Sequence, residues 1–535
     1  MAKIFVKVAD SDQAGGMSDT ESYDVVIIGG GAAGLTGAVA LARSRRSVLL
    51  VDAGDPRNAP AGHVHNFLTR DGMPPAEIYD RGRAEVTRYG GQVVAARVSG
   101  LAREEAGFEV TFDGRSVAAR RLLVATGLRD ELPDLPGLRE RWGIDVLHCP
   151  YCHGWEVRDR RIGVLATGPM SMHQALLFRQ LSPSVVFLRH TGRELSGEEA
   201  EQLAALGIEL VDGVVEAVES SAAGLTGVRL TGGNTVDLEV LVVAPRFTAR
   251  AELLAPLGLE PVDFRVGDHL AGTRIETDPT GRTAVAGVWA AGNVTELQAQ
   301  VMGSAAAGLT AGAAINIDII TEDAGRAVAE HRLEQLHSEA AWEERYKSRA
   351  HIWSGEPNPT LVTEVTPLSP GSALDVGCGE GADAIWLAAR GWTVTGVDLS
   401  PTALARAAEH GRQRGVEVTW QHLDLTRTTP DATYDLVTAH FLHLPRERRR
   451  VVFADLMAAV APGGTLLIVG HDPSDIGTTM PRHHLAEMGW TVAEIVESLG
   501  EEWTIDVAEA RPRSAVDPEG RTITIHDAVL RARRS

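Results

Sequence analysis

Tyr23–Gly54 reads YDVVIIGGGAAGLTGAVALARSRRSVLLVDAG, and this stretch decides the fold of the first part of the chain. A β-branched run leads into a G-x-G-x-x-G turn at Gly29, Gly31 and Gly34, then a proline-free helical run, then a second strand ending in Asp52. Gly29 permits the tight turn, Gly31 lets the backbone approach a pyrophosphate at the helix N-terminus, and Gly34 allows close helix–strand packing. Asp52 stands where a carboxylate accepts hydrogen bonds from ribose hydroxyls. A glycine-rich strand–helix turn without a ligand is the plainer alternative. With strand, helix and acid all in place, a dinucleotide site is the better reading.

Outward from this unit, short β-branched runs alternate with glycine-bounded helical runs from Ser22 to about Ile320, the order expected of α/β parallel sheets with crossover helices. Thr321–Arg349 mixes Ala, Glu, Arg and His without a buried-strand run and reads as a helical connector. Beyond it ALDVGCGEG, WTVTGVDLS, YDLVTAHF and GTLLIVGH again read as buried parallel strands, so residues 350–535 are expected to form a further α/β domain. The tail from Thr491 is expected to complete its sheet with antiparallel strands. Residues 1–20 are small and polar, a flexible extension to which no role is given; Met17 is an alternative start.

At roughly 100–200 residues per domain, 535 residues predict about three or four domains. With 44% hydrophobic and 23% charged residues, neither disorder over most of the length nor a membrane-spanning bundle is expected. The net charge of −21 repels phosphate backbones, which disfavours a nucleic-acid partner. Cys149, Cys152 and Cys378 are too few to staple a secreted scaffold and the wrong number for a four-thiolate zinc site. MAKIFVKVAD lacks the apolar stretch of a signal peptide, so a cytoplasmic enzyme without membrane attachment is expected.

Redox chemistry is placed by VLHCPYCHGWEVRD, where Cys149 and Cys152 are spaced C-x-x-C. That spacing closes a small disulfide ring and suits a thiol whose pKa is lowered into the reactive range. A zinc site would need two further ligands, and His148 and His153 are too crowded along the chain to close a tetrahedron, so no metal is expected. A purely structural disulfide fits poorly with a chain kept in a reducing compartment.

Further on, RRLLVATGLR ends in Ala125-Thr126-Gly127, and TAVAGVWAAGNV carries Gly292-Asn293 ahead of an Ala-rich helix. With the glycine turn and the CPYC pair, this order resembles the two-dinucleotide-domain flavoproteins of the thioredoxin reductase family. The resemblance implies a discontinuous FAD domain, 21–126 plus 264–320, around an NAD(P)-binding-like domain, 127–263, that carries the redox pair. It implies FAD held near Gly29, Gly31, Gly34, Asp52, Thr126, Gly127, Gly292 and Asn293, the last replacing the family's usual Asp, and it implies a homodimer. By the same resemblance Cys152 lies against the flavin and Cys149 exchanges with substrate. His153 departs from the family's Asp, and C-P-Y-C-H-G resembles the small-molecule dithiol oxidases of the gliotoxin and holomycin kind. There His153 would act as a general base on a dithiol; a packing role is the alternative.

NADPH use stays open. The second turn reads Ala166-x-Gly168-x-x-Ser171, and the next strand ends Arg189-His190-Thr191 in place of paired arginines. Arg189 and Arg193 would grip a 2′-phosphate or be surface charges. With NADPH the enzyme reduces disulfides, including those of a thioredoxin-like protein; without it, oxygen accepts electrons and thiols are oxidised.

In GSALDVGCGEGADAIWLAARGWTVTGVDLS, Asp375, Gly377 and Gly379 precede Asp398 by one strand–helix unit. The string resembles class I S-adenosylmethionine-dependent methyltransferases, with NAD binding as the rival for such a turn. The resemblance places Gly377 and Gly379 at the methionine part of S-adenosylmethionine, Asp398 at its ribose, Asp424 at its adenine, and His440 by the acceptor pocket. Cys378 reads as a small packed loop residue. ERYKSRAHIWSGEPNPTLV is similar to the leading segment of tellurite-resistance and thiopurine methyltransferases, where Trp353 either closes over the cosubstrate or packs. Arg446–Arg450 reads as a solvated helix start. The whole is expected to be a bifunctional enzyme acting on a small-molecule thiol or disulfide; a flavin redox sensor controlling the methyltransferase is the alternative.

Overall fold

Val25, Val26 and Ile27 are fully buried in the strand Ser22–Ile28, which pairs in parallel with Val48–Asp52 on one side and Arg115–Val124 on the other. These contacts belong to a computed structural model that describes residues 21–535 apart from 337, 477 and 480–487. The extension expected at 1–20 lies outside the described residues. The helix Ala32–Arg43 packs on this sheet through Ala33, Leu35, Ala38 and Leu41. Close approach is possible because a Cβ on Gly34 would stand 1.9 Å from the Gly29 carbonyl oxygen. The sheet runs Gln92–Ala95, Val48–Asp52, Ser22–Ile28, Arg115–Val124, Gly107–Phe112, Val98–Glu104. Val288–Ala290 returns to pair in parallel with Arg115–Val124, Trp289 opposite Leu123.

A second parallel sheet has the order Glu209–Val211, Val185–Leu188, Ile162–Leu165, Val240–Val242, Val146–Leu147. Chain passing between the two sheets is paired as it crosses: Leu128–Glu131 runs antiparallel to Arg246–Ala249, which pairs in turn with His269–Arg274. The helix Val301–Leu336 buries Ala311, Ile315 and Ile319 against the first sheet, and with Glu339–Ser348 makes the expected connector helical. Within it Val301–Arg332 is long and apolar enough to cross a bilayer. Its fully buried Ala311, Ile315 and Ile319 instead belong to a protein core.

The chain divides into two compact units, Met1–Asp323 and Ala324–Ser535. In the second, Thr419–His422, Thr393–Asp398, Ser372–Val376, Tyr434–His440 and Val460–His471 lie side by side in parallel, and Thr522–Arg534 and Trp503–Val516 finish the sheet antiparallel. One face is covered with Val452, Phe453 and Leu456, the other with Leu361, Ala384 and Leu387. The arginine run departs from expectation at one position. In the helix Arg446–Ala458, Arg449 is 3% exposed and donates to the Met488 carbonyl at 3.0 Å, because the helical period turns it inward beside Val452 and Phe453.

Candidate active sites

A cavity of about 1590 Å³ in the first unit is lined by Gly29, Gly31, Asp52, Thr126 and Gly127 from the first sheet's turns and by Cys149, Cys152 and His153 from the short helix Pro150–His153. Gly168, Gly292 and Asn293 also face it, whereas Gly34 lies behind the turn and Arg189 lies outside. The turn is shaped for a dinucleotide. A Cβ on Gly31 would meet nothing within 4 Å, so the backbone there is open to the cavity, and the first turn of Ala32–Arg43 has neither an acidic residue nor a side-chain cap. Its free N–H groups are a ready anion site. Asp52 packs against Gly30 and accepts from Gly54 N at 3.0 Å, with Arg83 3.1 Å from its other oxygen. Thr126 donates its hydroxyl to the Arg250 carbonyl at 2.6 Å. Asn293 donates its amide to the carbonyls of Glu296, Leu297 and Ala299 at 3.0, 3.4 and 2.9 Å. Three carbonyls would repel a carboxylate, so the loop after Gly292 suits Asn rather than Asp. These residues fit FAD.

Cys149 caps the helix Pro150–His153 and both cysteines are free thiols. The Cys152 thiol donates to Cys149, and together with the Cys152 and Tyr151 backbone N–H groups and the Arg57 cation it outweighs burial, lowering the Cys149 pKa to about 7. The same hydrogen bond and burial push Cys152 upward. Arg57 is fixed by a bidentate pair with Asp130 at 2.9 and 2.7 Å. His148 is pushed toward neutrality by burial; its Nδ1 lies 3.1 Å from the Val243 carbonyl.

His153 Nε2 is buried with no hydrogen-bond partner among the described residues, and burial lowers its pKa. His63, His65 and Glu156 surround it electrostatically. Glu156 Oε1 stands 3.2 Å from His65 Nε2 and Asp71 Oδ2 3.3 Å from His65 Nδ1, the first a close contact rather than an aligned hydrogen bond. Asn66 donates to the Tyr151 carbonyl at 2.7 Å and ties this loop to the redox helix. Arg57, His63, His65 and Asn66 belong to no motif; folding alone brings them to the cysteines.

The second nucleotide turn is built differently. A Cβ on Gly168 would lie 2.9 Å from His269 Nε2, so the tip of an exposed imidazole stands beside this turn. Arg189 Nε is 2.5 Å from Asp212 and its Nη1 3.8 Å from Glu194, while Arg193 is held by Glu199. His190 accepts from Val215 N at 3.0 Å. Both arginines are thus matched to carboxylates at the surface, Arg193 with 61% of its side chain exposed.

In the second unit Gly377, Gly379 and Gly381 have φ of 68°, 53° and 85°, a left-handed path that side chains resist. Asp398 accepts from Gly379 N and Ser400 N, both at 2.9 Å, and burial raises its pKa. Burial also raises buried Asp375 well above the carboxylate range, with Asp383 and Asp398 adding to the rise. Asp424 holds its own turn through Thr426 N at 2.9 Å. Trp353 Nε1 donates to the Tyr346 hydroxyl at 2.9 Å, and both lie against Gly379, so the segment before the sheet covers the glycine loop. Cys378 is buried with its thiol pKa raised, first by burial, as a packed loop residue would be. His440 Nδ1 lies 2.6 Å from Asp383 Oδ2, a pairing that no motif announces. The loop and Asp398 fit an adenosyl cosubstrate.

Residues 23–312 match the family described as Pyridine nucleotide-disulphide oxidoreductase, and residues 373–464 match Methyltransferase domain. The chain is 31% identical over 324 residues to the thioredoxin reductase tcpT of Claviceps purpurea, covering 57% of this chain and 97% of that protein. The crystal structure of HlmI is similar at 44% identity and a TM-score of 0.54, over 58% of this chain and 96% of that one. An oxidoreductase from Agrobacterium tumefaciens is similar at 36% identity and a TM-score of 0.53, over 56% and 99%.

Proposed function

We propose, from the premise that the chain belongs to the pyridine nucleotide-disulphide oxidoreductase family and carries a methyltransferase domain behind it, a bifunctional enzyme of small-molecule sulfur. The first unit oxidises a small dithiol with oxygen as final acceptor, and the second transfers a methyl group from S-adenosylmethionine to a small-molecule thiol. What favours oxygen over NADPH is the departure of the second turn, Ala166-x-Gly168-x-x-Ser171 with His269 beside it, from a glycine-rich dinucleotide turn, with Arg189 and Arg193 already paired.

A substrate thiolate attacks the Cys149 sulfur of the Cys149–Cys152 disulfide, and Cys152 leaves as thiolate. The second substrate sulfur then attacks the mixed disulfide and releases Cys149, whose pKa of about 7 makes it a good leaving group. His153, whose pKa burial lowers, takes the proton of the first incoming thiol and yields it to Cys152, which its neighbours keep protonated, before it serves the second thiol. FAD, when bound near Gly31, Asp52 and Asn293, supplies the two-electron acceptor that returns the pair to the disulfide and is reoxidised by oxygen.

The test is an absorption spectrum of the purified yellow protein under nitrogen, before and after NADPH, followed by oxygen uptake with dithiothreitol in air. Unchanged flavin absorbance with NADPH, bleaching with the dithiol and oxygen uptake abolished in Cys149→Ser/Cys152→Ser are expected. Rapid bleaching by NADPH would instead make the enzyme a disulfide reductase.

A further inference from the structure

We propose that His440, oriented by Asp383, is the general base that takes the proton from a neutral thiol as the second unit methylates it. The inference rests on the reading of this unit as S-adenosylmethionine-dependent. Ligands of parallel sheets bind beyond the carboxyl ends of the strands. The Gly377–Gly381 loop leaves that end of Ser372–Val376, and His440 is the last residue of the neighbouring strand, which is in register with it through Val376 and Ala439.

His440 is 7% exposed and held at both ring nitrogens. Asp383, in the first turn of the helix Ala382–Ala388 that follows the glycine loop, lies 2.6 Å from Nδ1 and accepts from Asn358 N at 2.6 Å with its other oxygen. A carboxylate only accepts, so the Nδ1 proton is held on Asp383 and Nε2 is the ring atom left to exchange a proton with a substrate. Thr438 Oγ1 is 3.1 Å from Nε2, and a hydroxyl that can donate or accept serves the imidazole before and after proton uptake. Phe441, immediately after, has φ of 53°, a left-handed turn that ends the strand.

A thiol, with an ordinary pKa of about 8.5, gives up its proton far more readily than an alcohol does. Thiols are also the substrates of the redox pair in the same chain. The thiol S–H bond breaks as its proton forms an N–H bond at His440 Nε2. The sulfur forms a bond to the methyl carbon, and the bond from that carbon to the sulfonium breaks with its electrons left on S-adenosylhomocysteine. The proton later passes to water.

Full-length protein is given S-adenosylmethionine near neutral pH with 2-mercaptoethanol, a neutral thiol, or 4-nitrothiophenol, already ionised. His440→Gln is expected to slow the first about 10²–10⁴-fold, the usual worth of a general base, and to leave the second close to wild type. Asp383→Asn is expected to show the same split, less deeply. Calorimetric binding of S-adenosylhomocysteine should be unchanged in both variants. Equal losses for both acceptors, or no loss, overturn the base. Product binding without methylation of either thiol by the wild type overturns the thiol as acceptor, and absence of product binding overturns the reading of the unit itself.

Discussion

Cys149 and Cys152 are the same residue type three positions apart, yet their thiols are driven in opposite directions. Cys149 receives the Cys152 thiol hydrogen bond, two backbone N–H groups and the field of Arg57, all of which favour the thiolate. Cys152 gives up that hydrogen bond on ionising beside a thiolate, so its proton is retained. The lowered group is reactive above its pKa. Alkylation of the reduced protein by iodoacetamide should therefore rise with pH through about 7, with label found first on Cys149 by mass spectrometry. Arg57→Gln removes a cation that favours the charged form, so the midpoint should move upward. A wild-type midpoint near the ordinary thiol value of about 8.5 would contradict this assignment.

At the scale of elements, two glycines of one turn separate packing from binding. Gly34→Ala drives a Cβ to 1.9 Å from the Gly29 carbonyl oxygen, a backbone collision that should destabilise the first unit by ~1–3 kcal/mol or more. Gly31→Ala meets no protein atom within 4 Å, so thermal unfolding should be nearly unchanged while bound flavin per chain falls, the methyl group taking the space a pyrophosphate needs. Loss of flavin without loss of stability in Gly34→Ala would reverse the two roles. In the second unit, the helix Glu339–Ser348 is anchored by Glu343, which accepts from Ser400 and Thr402 hydroxyls at 2.5 and 2.6 Å. Burial opposes its charge, but these hydrogen bonds and Lys347 hold its pKa at about 2. A depressed carboxylate stabilises above its unfolded value of about 4.3, and that contribution is lost as pH falls from there toward the folded value. Tryptophan fluorescence should report release of this helix in that acid window, and Glu343→Gln should lose the pH dependence.

Across the whole molecule, the two units carry separate cores, one around Val26, Leu122 and Val124, the other around Val437, Leu466 and Ile468. Calorimetry should resolve two unfolding transitions. S-adenosylhomocysteine at about a hundred times its dissociation constant should raise only one, by about 2.7 kcal/mol, and FAD only the other. A single transition raised by both ligands would mean that the units unfold together.

Local rules already made the strands, glycine turns, redox spacing and tandem α/β order readable from the amino-acid chain, because strand period, left-handed turns and C-x-x-C rings depend on neighbours in sequence. His269 lies about a hundred residues after Gly168, Arg57 and His65 about ninety before Cys149, and Asp383 more than fifty before His440. Strand order alone set those pairs side by side. The field around the thiols and the His440–Asp383 contact were decided there, since electrostatic and steric interactions depend on distance in space rather than along the chain.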